Sequence, residues 1–157
     1  MLKEIGKYKE TLQSLLKNDD KVCRLLLGDN YENEDYDLDE ELEKYLLPHL
    51  YVPGTINEKR SYVLFEASMP KAGHSIKTMR VTVQAICHKD IIKYKKPKGY
   101  FGYRYDVLSQ YIEELLCEDE DNGRKFGIGI PLSGNVGDFL TNDYIGHVIT
   151  FEMKDFR

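Results

Sequence analysis

The feature that most constrains the fold is residues 80–116, where a strand pattern and a helix pattern are joined by a basic connection. The strand RVTVQAICH alternates Val81, Val83, Ala85 and Cys87 on one face with polar residues on the other. The helix pattern RYDVLSQYIEELL has the apolar spacing of an amphipathic helix, with Asp106 at the expected N-cap. We expect the helix to pack back across the strand.

The remaining chain predicts further helices and strands on either side of this unit. Residues 2–17 have helical spacing, and Asn18-Asp19-Asp20 supplies N-cap chemistry for a second short helix that Gly28 ends. Strands are predicted at residues 61–67 and 144–156, with an edge strand or extended arm at residues 126–132 and a glycine-rich loop at residues 133–142. The order predicts one α+β domain, with a mostly antiparallel sheet of about four strands and helices packed on one face.

Residues 29–43 hold nine acidic residues and no basic one. Mutual repulsion predicts that the first half is extended, and a short helix capped by Asp37 and Glu40 is expected to bear Leu42 and Leu46 before Pro48. Aligned with a calcium loop, Glu40 stands where glycine is required and Leu46 where the bidentate glutamate belongs. A solvated acidic face is therefore expected, and no metal or cofactor.

The motifs of enzymes are absent from the sequence. The segment GIPLSGN has asparagine in place of the phosphate-loop lysine, and no G-x-S-x-G occurs. The four histidines are scattered. Cys87, His88 and His147 could form a zinc site, but we expect them to be ordinary strand residues. A non-enzymatic protein is expected, with an uncharacterised enzyme as the weakest alternative.

Composition limits the cellular compartment and the kinds of partner that we expect. The chain has 157 residues and a formal charge of −5, which argues against nucleic-acid binding through overall attraction. Three cysteines without a short Cys-x-x-Cys spacing favour reduced thiols. No apolar run approaches the ~18 residues of a membrane span, and no leader is recognisable at Met1. We expect a protein that is made and kept in the cytoplasm or released on lysis, with no membrane partner.

Only one stretch has a composition that indicates a binding partner. It is the connection at residues 89–104, which is called here the basic loop. Its cations alternate with aromatic rings, and the interface candidates are Lys93, Lys95, Lys96, Lys98, Tyr100, Phe101, Tyr103 and Arg104. Such a loop can bind phosphates and stack on bases, anchor a protein, or serve only solubility. The acidic residues Asp35, Asp37, Asp39 and Glu40 of another subunit offer a complementary surface, in a head-to-tail contact that can close into a ring.

The chain resembles the neck and tail-completion proteins of long-tailed bacteriophages, and most of all their tail terminators. The resemblance rests on SYVLFEAS, on VTVQAICH followed by a loop and RYDVLSQYIEELL, and on the closing strand HVITFEMKDF. It implies an α+β virion protein without enzymatic activity, assembled in the host cytoplasm into a hexameric ring at the head-proximal end of the tail.

The resemblance also implies the partners of such a ring. They are other copies of the chain, the tail tube, a sheath protein where the tail contracts, and the head-side connector, while DNA passes through the lumen without specific binding. Head-completion or stopper proteins are the alternative within this class. A nucleic-acid or protein binding module that uses the basic loop is the alternative outside it.

Overall fold

A computed structural model describes residues 2–32, 37–50, 58–72, 76–118 and 133–156. The helices are α1 (Leu2–Lys17), α2 (Asp20–Leu27), α3 (Leu38–Leu42) and α4 (Arg104–Glu113), and the strands are β1 (Leu46–Leu47), β2 (Ser61–Ala72), β3 (Ile76–His88), β4 (Ser133–Leu140) and β5 (Tyr144–Phe156). Short 3₁₀ turns follow α2 and β3, and a π-helical turn, Glu114–Glu118, continues α4. None of the helices in these ranges is long and apolar enough to cross a membrane.

The strands form one sheet in the order β1-β2-β3-β5-β4. Neighbouring strands are antiparallel except for β1, which runs parallel to β2. The α+β class and the mostly antiparallel sheet are thus confirmed. The sheet has five described strands where about four were expected, because β1 and β4 were not predicted, and the strand or arm predicted at residues 126–132 lies outside the described residues. In β1, the Tyr45 carbonyl accepts a hydrogen bond from the backbone N–H of Val63 at 2.9 Å, and Leu46 and Leu47 pair with β2.

The sheet buries one face against the helices. Odd-numbered residues of β2, β3 and β5 point to this face, as Val63, Val83 and Ile149 illustrate, and all three are buried in the same core as Leu16 of α1 and Leu108 of α4. The alternation predicted for β3 is therefore confirmed. On the opposite face, Tyr62, Leu64 and Ile86 form a smaller buried cluster.

The helices do not cover the sheet evenly. The helix α1 packs on β1 and β2, and α4 packs on β3 and β5, with α2 between them. No helix in the described ranges packs extensively on β4. As a result, Val136 is 60% exposed and Leu140 is 70% exposed, although both lie on the helix side of the sheet.

The first two helices match their predicted bounds closely. The α2 helix is capped at its start by Asp19, whose carboxylate accepts a hydrogen bond from the N–H of Val22 at 3.0 Å, and at its end by Gly28, whose φ is +59°. Asp37 caps α3 in the same way, accepting from Glu40 N at 3.3 Å. The prediction that α3 extends to Leu46 was wrong, because the chain leaves the helix after Leu42 and pairs with β2.

Three other local predictions were wrong. Residues 133–142 are mostly strand β4, not a loop, since the two-residue connection Asn142-Asp143 joins β4 to β5 in a hairpin. Asp106 is the third residue of α4 and accepts a hydrogen bond from Tyr103 N, so the N-cap is Tyr103. Gly28–Glu32 is a 3₁₀ helix rather than extended chain, and Arg24 pairs with Glu32 at 2.9 Å across it.

Candidate functional site

The basic loop has an exposed outer side that carries its lysines. Lys93, Lys95, Lys96 and Lys98 are all exposed, and none forms an ion pair with a residue that the structure describes. Phe101 is 75% exposed and Tyr103 is 52% exposed. These six predicted residues therefore lie together on a surface that offers positive charge and aromatic rings.

Arg104 binds the backbone of the basic loop. Its Nε donates to the Ile91 carbonyl at 2.7 Å and its Nη2 donates to the Lys93 carbonyl at 3.1 Å. The guanidinium also lies 5.0 Å from the centre of the Tyr94 ring. Because Arg104 is the first residue of α4, these contacts fix the start of the loop to the start of the helix that follows it. The structure thus uses Arg104 as an internal anchor.

Tyr100 holds the far side of the loop against the helices. Its hydroxyl donates to Oε2 of Glu114 at 2.7 Å and accepts from Nζ of Lys21 at 2.9 Å, and its ring lies edge-on to Tyr111 at 4.8 Å. Burial and a hydrogen bond with Tyr94 raise the pKa of Tyr111. These contacts hold the loop against α4 and α2, and its lysines are exposed on the outer side.

The acidic candidates lie at another place on the helical layer. Asp37, Asp39 and Glu40 are exposed on α3, and Asp35 lies outside the described residues. The α3 helix contacts α2 and leads directly into β1, at one edge of the sheet, whereas the basic loop packs on α4, over β3 and β5. No ion pair among described residues joins the two surfaces. One chain therefore presents opposite charges at separate places.

A cleft of about 520 Å³ lies beside α3. Its walls come mainly from α1, through residues such as Lys9, Gln13 and Lys17, together with Asp39 of α3 and Pro48 after β1. The cleft places basic side chains of α1 next to α3, and Lys17 pairs with Glu43 at 3.3 Å. These internal pairings leave the outer carboxylates of α3 facing solvent.

A further surface corner lies where the start of α4 meets β5 and β4. His147 Nε2 lies 2.7 Å from Oδ1 of Asp106, and the His147 ring lies 5.4 Å from that of Tyr105, which stacks on Tyr103. Asp138 of β4 lies 3.9 Å from His147 Nδ1, and this nitrogen has no hydrogen-bond partner. The exposed Val136 and Leu140 flank Asp138 on the same face of β4.

The sequence interpretation missed this corner, because it placed residues 133–142 in a loop. A signal was present in the apolar residues Val136 and Leu140 on either side of Asp138, followed by a two-residue connection to the next strand. Glycine within the segment concealed it, since glycine weakens strand interiors.

The residues weighed as zinc ligands do not converge. Cys87 and His147 face the helices, whereas His88 lies on the other face of the sheet, with its ring 5.4 Å from Tyr144 and its Nδ1 accepting from Asp90 N. Among the described residues, no group of three metal-ligating side chains comes together.

Cys23 and Cys87 are buried free thiols. Burial raises the pKa of the Cys23 thiol to about 12 and that of Cys87 to about 11. Both thiols are therefore protonated at neutral pH and lack the thiolate that a nucleophile needs.

Comparison with known proteins adds one match. A family model described as YomW matches residues 19–153, which is most of the chain. No curated protein matches, and no solved structure matches.

Proposed function

Because this chain belongs to the YomW family and is thereby phage-related, we propose that it is a structural protein of a phage particle or phage-tail-like particle. In this role it forms a ring at the head-proximal end of the tail, terminates tail-tube assembly and joins the tail to the neck. The ring is a hexamer, as the resemblance to tail terminators implies. Its site of action is the neck and tail junction of the virion.

The observation that carries the proposal is the separate placement of the two charged surfaces. The lysines of the basic loop lie with α4, and the carboxylates of α3 lie at the β1 edge of the sheet. Charged side chains without an opposite charge beside them in their own chain can pair with those of the next chain. Repeated head-to-tail contacts of this kind close into a ring if the rotation between neighbouring subunits permits it. Partners beyond the ring are the tail tube and the head-side connector.

Charge reversal with rescue tests the subunit contact. Lys95→Glu with Lys96→Glu is expected to weaken the oligomer by at least about tenfold, and Asp39→Lys with Glu40→Lys in the same chain is expected to restore part of it. Lys7→Glu is the matched control, since Lys7 is an exposed lysine of α1. Sedimentation velocity at several salt concentrations measures both effects, because exposed charge contacts weaken with salt.

The biological role is tested on tails. Purified protein should cap isolated tail tubes in electron micrographs, and deletion of its gene should give tails of uncontrolled length or tails without heads. A protein that stays monomeric at millimolar concentration and never caps a tube would overturn the proposal. A ring that binds the head connector but leaves tube length unchanged would favour the stopper role instead.

A second candidate function is a nucleic-acid binding module, and the exposed Lys93, Lys95, Lys96 and Lys98 beside Phe101 favour it. Binding to a single-stranded oligonucleotide should then weaken steeply with salt and be lost when Lys95 and Lys96 are neutralised. Absence of binding at low salt removes this candidate.

A further inference from the structure

Exposed large apolar side chains are concentrated at one side of the molecule. Within the described ranges, the residues of this kind are Leu2, Leu50, Phe101, Tyr103, Val136 and Leu140. Four of these six belong to the end of the basic loop, just before α4, and to strand β4. Exposed apolar surface that gathers in one place marks an interaction site more often than scattered residues do.

The backbone of β4 is also open on its outer side. Thr141 N donates to the Tyr144 carbonyl at 2.9 Å, so Thr141 and Tyr144 form a hydrogen-bonded antiparallel pair. Hydrogen-bonded and non-bonded pairs alternate along such a ladder. The N–H and C=O groups of Leu140, Asp138 and Val136 therefore point away from β5, and no described strand lies beyond them.

The other edge of the sheet is open in a matching way. The short β1 pairs with β2 only at Val63 and Leu64, and Val63 N points outward to the Tyr45 carbonyl. By the same alternation, Ala67 points its backbone groups outward, past the end of β1 and just before the register shift between Ser68 and Lys71. No described strand pairs with β2 on this side beyond Leu64.

From these two edges we infer that β4 of one copy pairs with β2 of a second copy and continues the sheet from subunit to subunit. The directions agree, because β4 runs opposite to β5 and β2 runs opposite to β3, so a second copy in the same orientation sets β4 antiparallel to β2. The inference rests on the proposed ring and names the contact that builds it.

The side chains agree with this pairing. Residues that face each other in an antiparallel ladder place their side chains on the same face. Val136, Asp138 and Leu140 point to the helix side, as do Ala67 and Met69, which belong to or pack on the main core. Because α1 packs on β2, the α1 helix of the neighbouring copy would lie beside the part of β4 that no described helix of its own chain covers.

Amide hydrogen exchange on the wild-type protein tests the pairing without any substitution. The outward amides of Val136, Asp138, Leu140 and Ala67 should exchange rapidly in the dilute monomer and become at least about tenfold slower in the oligomer. Protection at both edges with a closed ring on tail tubes supports both proposals. An oligomer in which these amides stay unprotected overturns the strand pairing and leaves the ring standing.

Two further outcomes separate the inference from the proposed function. Protection at both edges in an assembly that never caps tail tubes supports the pairing and overturns the tail role. Protection of β4 alone, and only when tail tubes are added, shows that the edge takes a strand of another protein and overturns pairing between copies. A wild-type protein that is monomeric under all conditions overturns both.

Substitutions then test whether oligomer assembly depends on β4. Leu140→Lys should raise the dissociation constant of the oligomer at least about tenfold, whereas Glu113→Lys, at an exposed residue of α4 away from both edges of the sheet, should leave it unchanged. Asp138→Pro removes an outward N–H that Asp138→Ala retains, so only the proline variant should dissociate. Circular dichroism confirms that each variant is folded, and equal assembly of folded L140K and wild type contradicts the inference.

Discussion

The carboxylate of Asp106 lies 2.7 Å from Nε2 of His147, and this pair joins the first turn of α4 to the first part of β5. The second oxygen of the same carboxylate accepts a hydrogen bond from Tyr103 N at 2.8 Å. One side chain therefore caps the helix and joins it to the sheet, next to the exposed corner at β4.

A double-mutant cycle of Asp106→Ala and His147→Ala should reveal a coupling of about 1–2 kcal/mol, because each residue loses a hydrogen-bond partner when the other is removed. Asp106→Ala alone should cost more than His147→Ala, since it also removes the acceptor of the backbone N–H of the N-cap residue, Tyr103. Urea unfolding of the four proteins measures the coupling. Effects that simply add would show that the two side chains do not stabilise each other.

Arg104→Lys should destabilise the protein by about 1–2 kcal/mol and loosen the basic loop. A lysine ammonium cannot donate to the Ile91 and Lys93 carbonyls in the geometry of the guanidinium fork. Chemical denaturation measures the loss, and faster amide exchange at residues 92–100 locates it. Lys98→Ala, at an exposed residue of the same loop, should change stability by less than about 0.5 kcal/mol. Equal effects of the two variants would contradict an anchoring role for Arg104.

Gly146→Ala should destabilise the sheet by about 2–4 kcal/mol. A Cβ at this position would lie 2.0 Å from the Ala85 carbonyl oxygen and 2.7 Å from the Ile86 Cα, so β3 and β5 would have to separate. Gly137→Ala is the control in neighbouring β4, since a Cβ there meets nothing within 4 Å. Thermal melting compares them, and a G146A protein as stable as G137A would be inconsistent with the close approach of these strands.

Stability should fall at alkaline pH, in part through Cys87. Burial raises the pKa of this thiol from 9.0 to about 11, so the folded state favours the protonated form more than the unfolded state does. Its contribution is complete below pH 9 and is lost as the pH rises through about 11. Cys87→Ala should therefore lose less stability over this range than wild type in urea titrations. Parallel pH curves for the two proteins would contradict this assignment.

The sequence predicted those elements whose burial follows a clear period. The α1 helix and β5 were predicted with their observed bounds, and β3 with its correct faces, because one side of each packs on the core. β4 was missed because it is an edge strand whose outward-facing side chains are exposed, so burial imposes no alternation on it. The early end of α3 depended on pairing with β2, which is a tertiary effect.

The basic loop was found by composition, but the roles of its residues were not. Lysines and aromatic residues identify an exposed surface, and Lys95 and Lys96 do lie on one. Composition cannot separate them from Arg104 and Tyr100, whose partners Ile91 and Glu114 become neighbours only when α4 packs beside the loop. The distinction between displayed and internal side chains required the structure.

The strand order also implies a sequence of events during folding. β2 with β3, and β4 with β5, are hairpins that local contacts can form, and a two-residue turn closes the second. Pairing β3 with β5 joins them only after the chain has closed the long loop that contains the basic loop and α4, at a greater cost in entropy. We therefore expect the two hairpins to form early. The pairing of β3 with β5, where Gly146 lies closest to β3, should form late and limit the folding rate.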